Sequence, residues 1–262
     1  MFTPVIPMGG LAGWRFLERT YSSQTAAYNK SAPVKSATDY YRENVAKVNS
    51  ANDLVSDRRL LEVALGAFGL QDDIDNKFFL QKMLEEGSLN DDALANKLSD
   101  PRYATLVKAF GFGPGEIRKV SLSFAIDEIV DKYLSNSFEV ATGEQDESMR
   151  IALYAKRTLS DLATSSTSNN AKWFTIMGQP PMRKLFETAL NLPAAFGQIA
   201  IDQHLSVFKE RAASVFGSDL ISQFADPEAI DDLVVKYIAR AQIASMGSSS
   251  SSSANALTLL QA

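Results

Sequence analysis

Residues 54–69 read Leu-Val-Ser-Asp-Arg-Arg-Leu-Leu-Glu-Val-Ala-Leu-Gly-Ala-Phe-Gly, and their apolar side chains fall at helical spacing. Leu54, Leu60, Leu61, Ala64, Leu65 and Phe68 make a stripe that another element must cover. Ser50 and Asp53 open the segment with residues that accept hydrogen bonds from free helix amides. Gly69 stands where a helix end wants a residue that tolerates positive φ.

The stretch has an echo. Arg59-Leu60-Leu61-Glu62-Val63-Ala64-Leu65 is matched by Lys184-Leu185-Phe186-Glu187-Thr188-Ala189-Leu190, 125 residues further on. Each copy is followed by a Gly/Pro break and an acidic residue that opens a helix, Asp75 or Asp202. Each then reaches an Asp-Pro helix start, Asp100-Pro101 or Asp226-Pro227. Asp is a good cap, and Pro fits the first turn because its missing N–H would have no partner there. Two copies fall short of a solenoid, which needs about three. The expected fold is therefore all-α, a multi-helix bundle with an internally duplicated helix-loop-helix unit.

Outward from these copies the same periodicity continues. Leu11, Trp14, Leu17, Tyr21 and Tyr28 line one face of an N-terminal amphipathic helix, assigned with its flanks to residues 1–35. Pro33 is expected to close it, and Thr38 or Asp39 to cap the next helix. Residues 36–115 form the first helical unit. Within it Asp72, Asp73 and Asp75 precede Phe78 and Phe79, as carboxylates precede a helix N-terminus. Asn90 to Leu98 reads as a short helix. Residues 116–246 form the second unit, with long connecting helices. Residues 247–262 are a Gly-Ser linker with a short terminal segment carrying Leu257, Leu259 and Leu260. No stretch alternates as a strand would.

Composition narrows the function. The chain has 262 residues, a net charge of -5 and no dense basic cluster, so nucleic acid and anionic membrane surfaces are poor partners. The absence of cysteine removes disulfides, thiolate nucleophiles and Cys-ligated zinc. One histidine, His204, cannot build a multi-His metal site. No apolar run reaches the roughly 20 residues that span a bilayer, and no basic n-region precedes the apolar start, so a soluble protein without membrane insertion or a cleaved signal is expected.

The groups that could carry chemistry read more simply as structure. Asp72, Asp73 and Asp75 fail as a calcium loop, because Lys77 and Phe78 occupy positions that need an oxygen ligand and a glycine. Gly111, Gly113 and Gly115 have neither a preceding strand nor a following Lys-Ser/Thr, so they read as a helix-helix turn and not a phosphate loop. Glu139, Glu144, Asp146 and Glu147 read as a solvated loop and helix start. His204 reads as a surface or structural residue. No catalytic residue, metal or cofactor is expected. Trp173-Phe174 and Trp14 are large aromatics that either fill a core or anchor an interface.

Leu54 through Leu61, Ala67-Phe68-Gly69-Leu70, Leu98 through Tyr103, Trp173-Phe174 and the Leu190–Phe196 run with Leu192-Pro193 together resemble a bacterial domain family of unknown function whose members accompany flagellar genes. The resemblance covers roughly residues 38–245 and brings no catalytic residues with it. It implies a non-enzymatic, flagellum-associated protein acting through protein-protein contacts, as an axial or basal-body accessory or an assembly factor. Its partners would be flagellar or export-apparatus proteins. Its location would be the cytoplasm, or outside it by a signal-peptide-independent flagellar route. The contacts are expected on the two ends, at Trp14, Leu17, Tyr21 and Tyr28 and at Leu257, Leu259 and Leu260. The rivals are a cytoplasmic regulator or export chaperone of the flagellar system, and a helical enzyme whose site gathers Glu139, Glu144, Glu147 and Arg150.

Overall fold

The computed structural model describes residues 2–193 and 201–260, with side chains at all of these except 201–202 and 247–260. Among the described residues the chain forms thirteen α-helices and no strand, the all-α multi-helix class that the periodicity predicts. It divides into two compact units. One contains Met1–Pro4 and Thr20–Ala141, the other Val5–Arg19 and Thr142–Ala262. No described helix is long and apolar enough to cross a membrane.

The first unit takes the second half of α1 (Gly10–Asn29), then α2 (Ala32–Asn44), α3 (Ala51–Ser56), α4 (Arg58–Phe68), α5 (Lys77–Glu86), α6 (Leu94–Lys97), α7 (Pro101–Phe110) and most of α8 (Ser123–Gly143). Local chemistry sets the ends. Ser50 and Asp53 form a reciprocal capping box at α3, and Asp57 accepts the Arg59 and Leu60 amides at α4. Asp100 caps α7 with Pro101 in its first turn. Gly69 ends α4 at φ 70°, in the left-handed conformation that its position requires. Helix α4 packs against α2, α3 and α7, and Tyr41, Leu54, Leu61, Leu65 and Phe110 are fully buried.

The second unit is built from α9 (Glu147–Thr164), α10 (Asn169–Gly178), α11 (Pro180–Ala189), α12 (Ile201–Phe216) and α13 (Pro227–Leu260), with a 3-10 turn at Ile221–Ala225. Its core centres on Trp173. The indole lies 5.3 Å from the Phe186 ring and 5.6 Å from Phe208, and its N–H donates to the Asp219 carbonyl at 2.9 Å. Phe224 meets Phe186 edge-on at 5.6 Å.

The repeated segments keep some of the same neighbours in each unit, although α9 packs on α13 and on the 3-10 turn with no equally strong counterpart at α2. In the first unit α4 packs on α2, α3 and α7, α3 on α5, and α6 on α7. In the second α11 packs on α9, α10 and α13, α10 on α12, and the 3-10 turn on α13. The matched sequence segments occupy α4 and α11, the hub of each unit, and the Asp-Pro starts open α7 and α13.

Several local expectations are corrected. Pro33 lies in the first turn of α2 and opens that helix, so neither Thr38 nor Asp39 caps it. The isolated backbone N–H that proline lacks is not needed there. Asp72, Asp73 and Asp75 do not cap α5. Asp73 accepts from the Tyr103 hydroxyl at 2.6 Å, Asp75 pairs with Arg58, and Asn76 occupies the cap position. The helix expected over Asn90 to Leu98 shrinks to the four residues of α6. Helix α13 carries on through the Gly-Ser run at 247–253. Each residue added to a nucleated helix gains one backbone hydrogen bond, against the weak helix propensity of Gly and Ser. Glu139 is buried on α8, because it continues the inward face that carries Tyr133 and Asn136. His204 is buried on α12, the structural one of its two expected settings.

The two neighbouring aromatics of α10 separate core from surface. Trp173 is 0% exposed and Phe174 is 46% exposed. Trp173→Ala is expected to cost about 3–5 kcal/mol of unfolding free energy and Phe174→Ala under about 1 kcal/mol, measured by urea titration.

Candidate functional site

The aromatic face of α1 turns inward. Trp14 and Leu17 are buried in the second unit, where the Lys156 ammonium lies 5.8 Å over the Trp14 ring. Lys156 also pairs with Glu18 at 2.9 Å and Asp231 at 2.7 Å, so it ties α1 to α9 and α13. Burial works against its charge, but the two carboxylates overcome this and hold its pKa above the usual lysine value. In the first unit Tyr28 is buried and Tyr21 half-buried, and both meet Phe138 edge-on at 5.6 and 5.5 Å. These four residues hold α1 to its own chain, and a partner would meet them only after that helix detached. Leu257, Leu259 and Leu260 fall within α13 by backbone, and their side chains lie outside the described residues.

The acidic and basic groups weighed for catalysis are assigned to different units, and two of them already pair locally. Glu139 belongs to the first unit, while Glu144, Glu147 and Arg150 belong to the second. Glu147 and Arg150 neutralise each other as an i,i+3 ion pair on α9. Among the described residues no group of three His, Asp or Glu could hold a metal ion.

Apolar side chains reach solvent at the connections around α7. Leu89 is 69% exposed, Ile117 77% and Phe124 65%. Single exposed apolar residues are ordinary. Leu89 and Ile117 differ in being carried by loops that are tied down, while Phe124 stands in the first turn of α8. Gly87 and Gly113 cross so closely that a Cβ on Gly113 would lie 2.3 Å from the Gly87 Cα. Only two glycines can make that crossing. Glu116 then latches it: its carboxylate accepts from the Ser88 amide at 2.5 Å, the Ser88 hydroxyl at 2.7 Å and the Gly113 amide at 3.2 Å. The Lys119 amide closes the loop onto the Phe110 carbonyl, and Asn96 holds the Ser88 and Asn90 carbonyls. The result presents Leu89 and Ile117 on a braced support, with Leu89 Cδ1 3.7 Å from where a Cβ on Gly115 would stand.

Burial opposes ionisation of Glu116, and the hydrogen bonds from Ser88 and Gly113 outweigh it, so its carboxyl titrates below the usual glutamate value. None of this was legible locally. Gly111-Phe112-Gly113-Pro114-Gly115 reads as a turn, and nothing in it marks the following Glu116 as the partner of Ser88, 28 residues earlier. The available signal is the pairing of a lone Gly87 after one helix with a glycine cluster after another.

The family model described as a protein of unknown function, DUF1217, matches residues 67–230, which is more than half of the chain. The chain belongs to the DUF1217 family. The matched span includes α5 to α12, and with them both glycines of the crossing and Glu116. The chain also resembles the crystal structure of a structural-genomics target protein from Agrobacterium tumefaciens, with a TM-score of 0.73 and 25% sequence identity. The likeness covers 91% of this chain and 97% of that one, so both units take part in it. No curated protein matches the chain in sequence.

Two outcomes test the latch. Gly113→Ala is expected to cost about 1–3 kcal/mol, because backbone faces the new methyl and cannot yield as a side chain would. A carboxyl whose folded pKa is depressed contributes stability above its unfolded value and loses it as pH falls through the folded value. Acid titration followed by the Ser88 amide resonance should therefore show a step below the usual glutamate range, and Glu116→Gln should abolish that step.

Proposed function

We propose that this DUF1217 protein is a non-enzymatic, flagellum-associated protein that works through contacts with other proteins, as an axial or basal-body accessory or an assembly factor. The observation that carries the contact reading is the set of exposed apolar side chains on a loop pair that the Gly87–Gly113 crossing and Glu116 hold in place. Binding loses affinity when loops must order on contact, so large apolar side chains held ready on a braced loop suit recognition. The flagellar part rests on the resemblance carried by the α3–α4 segment, Leu98 through Tyr103 and Trp173-Phe174.

On the N-terminal side the proposed contact surface shifts from α1 to the loops of the first unit, and the C-terminal leucines keep their place as a second candidate. Leu89 and Ile117 replace the α1 aromatics as its expected centre, because Trp14, Leu17 and Tyr28 are buried. Truncating central apolar anchors of an interface costs at least about 2 kcal/mol each, or roughly 30-fold in affinity. In its native bacterium, the double variant Leu89→Ser/Ile117→Ser should accumulate to the normal level and swim no better than a strain lacking the gene. Normal swimming of the deletion strain would overturn the flagellar reading. Full motility of the double variant would overturn the assignment of the surface.

A further inference from the structure

The same connections border a groove between α7 and α8, wholly inside the first unit, of about 240 Å³. We infer that this groove receives an acidic amphipathic helix of a partner protein. The inference rests on the contact-protein reading above and adds the chemistry of the partner.

Size is the first argument. The volume lies below the roughly 300–1,000 Å³ of a pocket that encloses a small molecule. It suits a few apolar side chains projecting from a larger body. The apolar lining has Ala109 on α7 with Ala125 and Ile129 on α8 as its floor, and the exposed Phe124 forms one wall. Phe124, Glu128 and Lys132 run along α8 at intervals of four residues, so the groove follows one helix face for two turns. That is about 12 Å of length, the span of apolar anchors at i, i+4 and i+7 or i+8 on a docked helix.

Charge decides the partner. Three lysines, Lys108, Lys119 and Lys132, stand around the floor with one acid, Glu128. Glu128 is matched by Lys132 at 2.6 Å, which leaves two cationic charges in a chain whose total is -5. The ammonium groups are held at the rim. Lys119 Nζ donates to the Lys108 carbonyl at 2.8 Å, and Lys132 Nζ sits 5.3 Å over the Phe68 ring. Each ammonium keeps further protons to donate to a carboxylate. The first turn of α8 carries no acidic side chain, so its positive dipole end adds to the same field. An incoming helix with apolar knobs and flanking Asp or Glu meets a complementary surface, and one flanked by Lys or Arg is repelled.

The test uses the full chain and a labelled synthetic helix with Leu on one face and Glu beside it, together with its Lys-for-Glu counterpart. Fluorescence anisotropy should show binding of the acidic peptide and none of the basic one, with affinity falling as salt rises. Lys108→Glu and Phe124→Ser should each weaken binding at least about tenfold. Both side chains are exposed, and unchanged circular dichroism would show that the variants remain folded. Equal binding of both peptides, or binding that ignores both substitutions, would overturn the inference. So would self-association that Phe124→Ser abolishes, which would make a second copy the occupant. Failure of the acidic peptide alongside loss of motility in Leu89→Ser/Ile117→Ser would remove the groove and leave the contact-protein reading standing.

Discussion

Two backbones pass each other at Gly87 and Gly113 with no room for a side chain on either. The features that distinguish the first unit follow from that crossing. It brings the turn after α5 against the turn after α7, although the two are far apart along the chain. It places Ser88 and Gly113 so that one carboxylate, Glu116, can accept from both. With those amides satisfied, the loops keep their hydrogen bonds at home, and their apolar side chains are left for solvent or a partner. A carboxylate that accepts several N–H and O–H donors is among the stronger polar contacts available to a loop.

The site lies where the two halves of the duplication part company. Each half uses a hub helix, α4 or α11, with matching neighbours, and each opens its closing helix with Asp-Pro. Helix α7 stops after ten residues at Gly111, which takes φ 66°. The corresponding place in α13 is held by Tyr237, and that helix runs on to Leu260. The glycine-rich connection and Glu116 occupy the interval that α7 leaves open before α8, and the groove lies between those two helices. A duplicated core thus supplies stability in both halves, while one half carries the elaboration. This matches the general division of labour between packed scaffold and functional loop.

The helices were legible because helical period, caps and breaks agree with one another. The α4 stripe, the Ser50–Asp53 box, the Asp100-Pro101 start and Gly69 all hold in the structure, since each depends on neighbours within a turn or two. Reading failed where distant contacts decide. An acidic run before an apolar one resembles a helix start, but Asp73 and Asp75 are taken by Tyr103 and Arg58. The α1 aromatics read as a face for partner contacts until Phe138 and Lys156 are seen to meet them. Glu139 sits among carboxylates in sequence and among core residues in space. The exposed pair Leu89 and Ile117 has no periodic signature, because both sit on loops that a crossing between residues 87 and 113 holds in place.

The central claim is that these loops are held as firmly as the helices beside them. Native-state amide hydrogen exchange at Ser88 and Gly113 tests it most directly. The account predicts that both amides exchange as slowly as those of α7, because Glu116 accepts from each. Exchange at the rate of an unprotected loop, with α7 still protected, would contradict it.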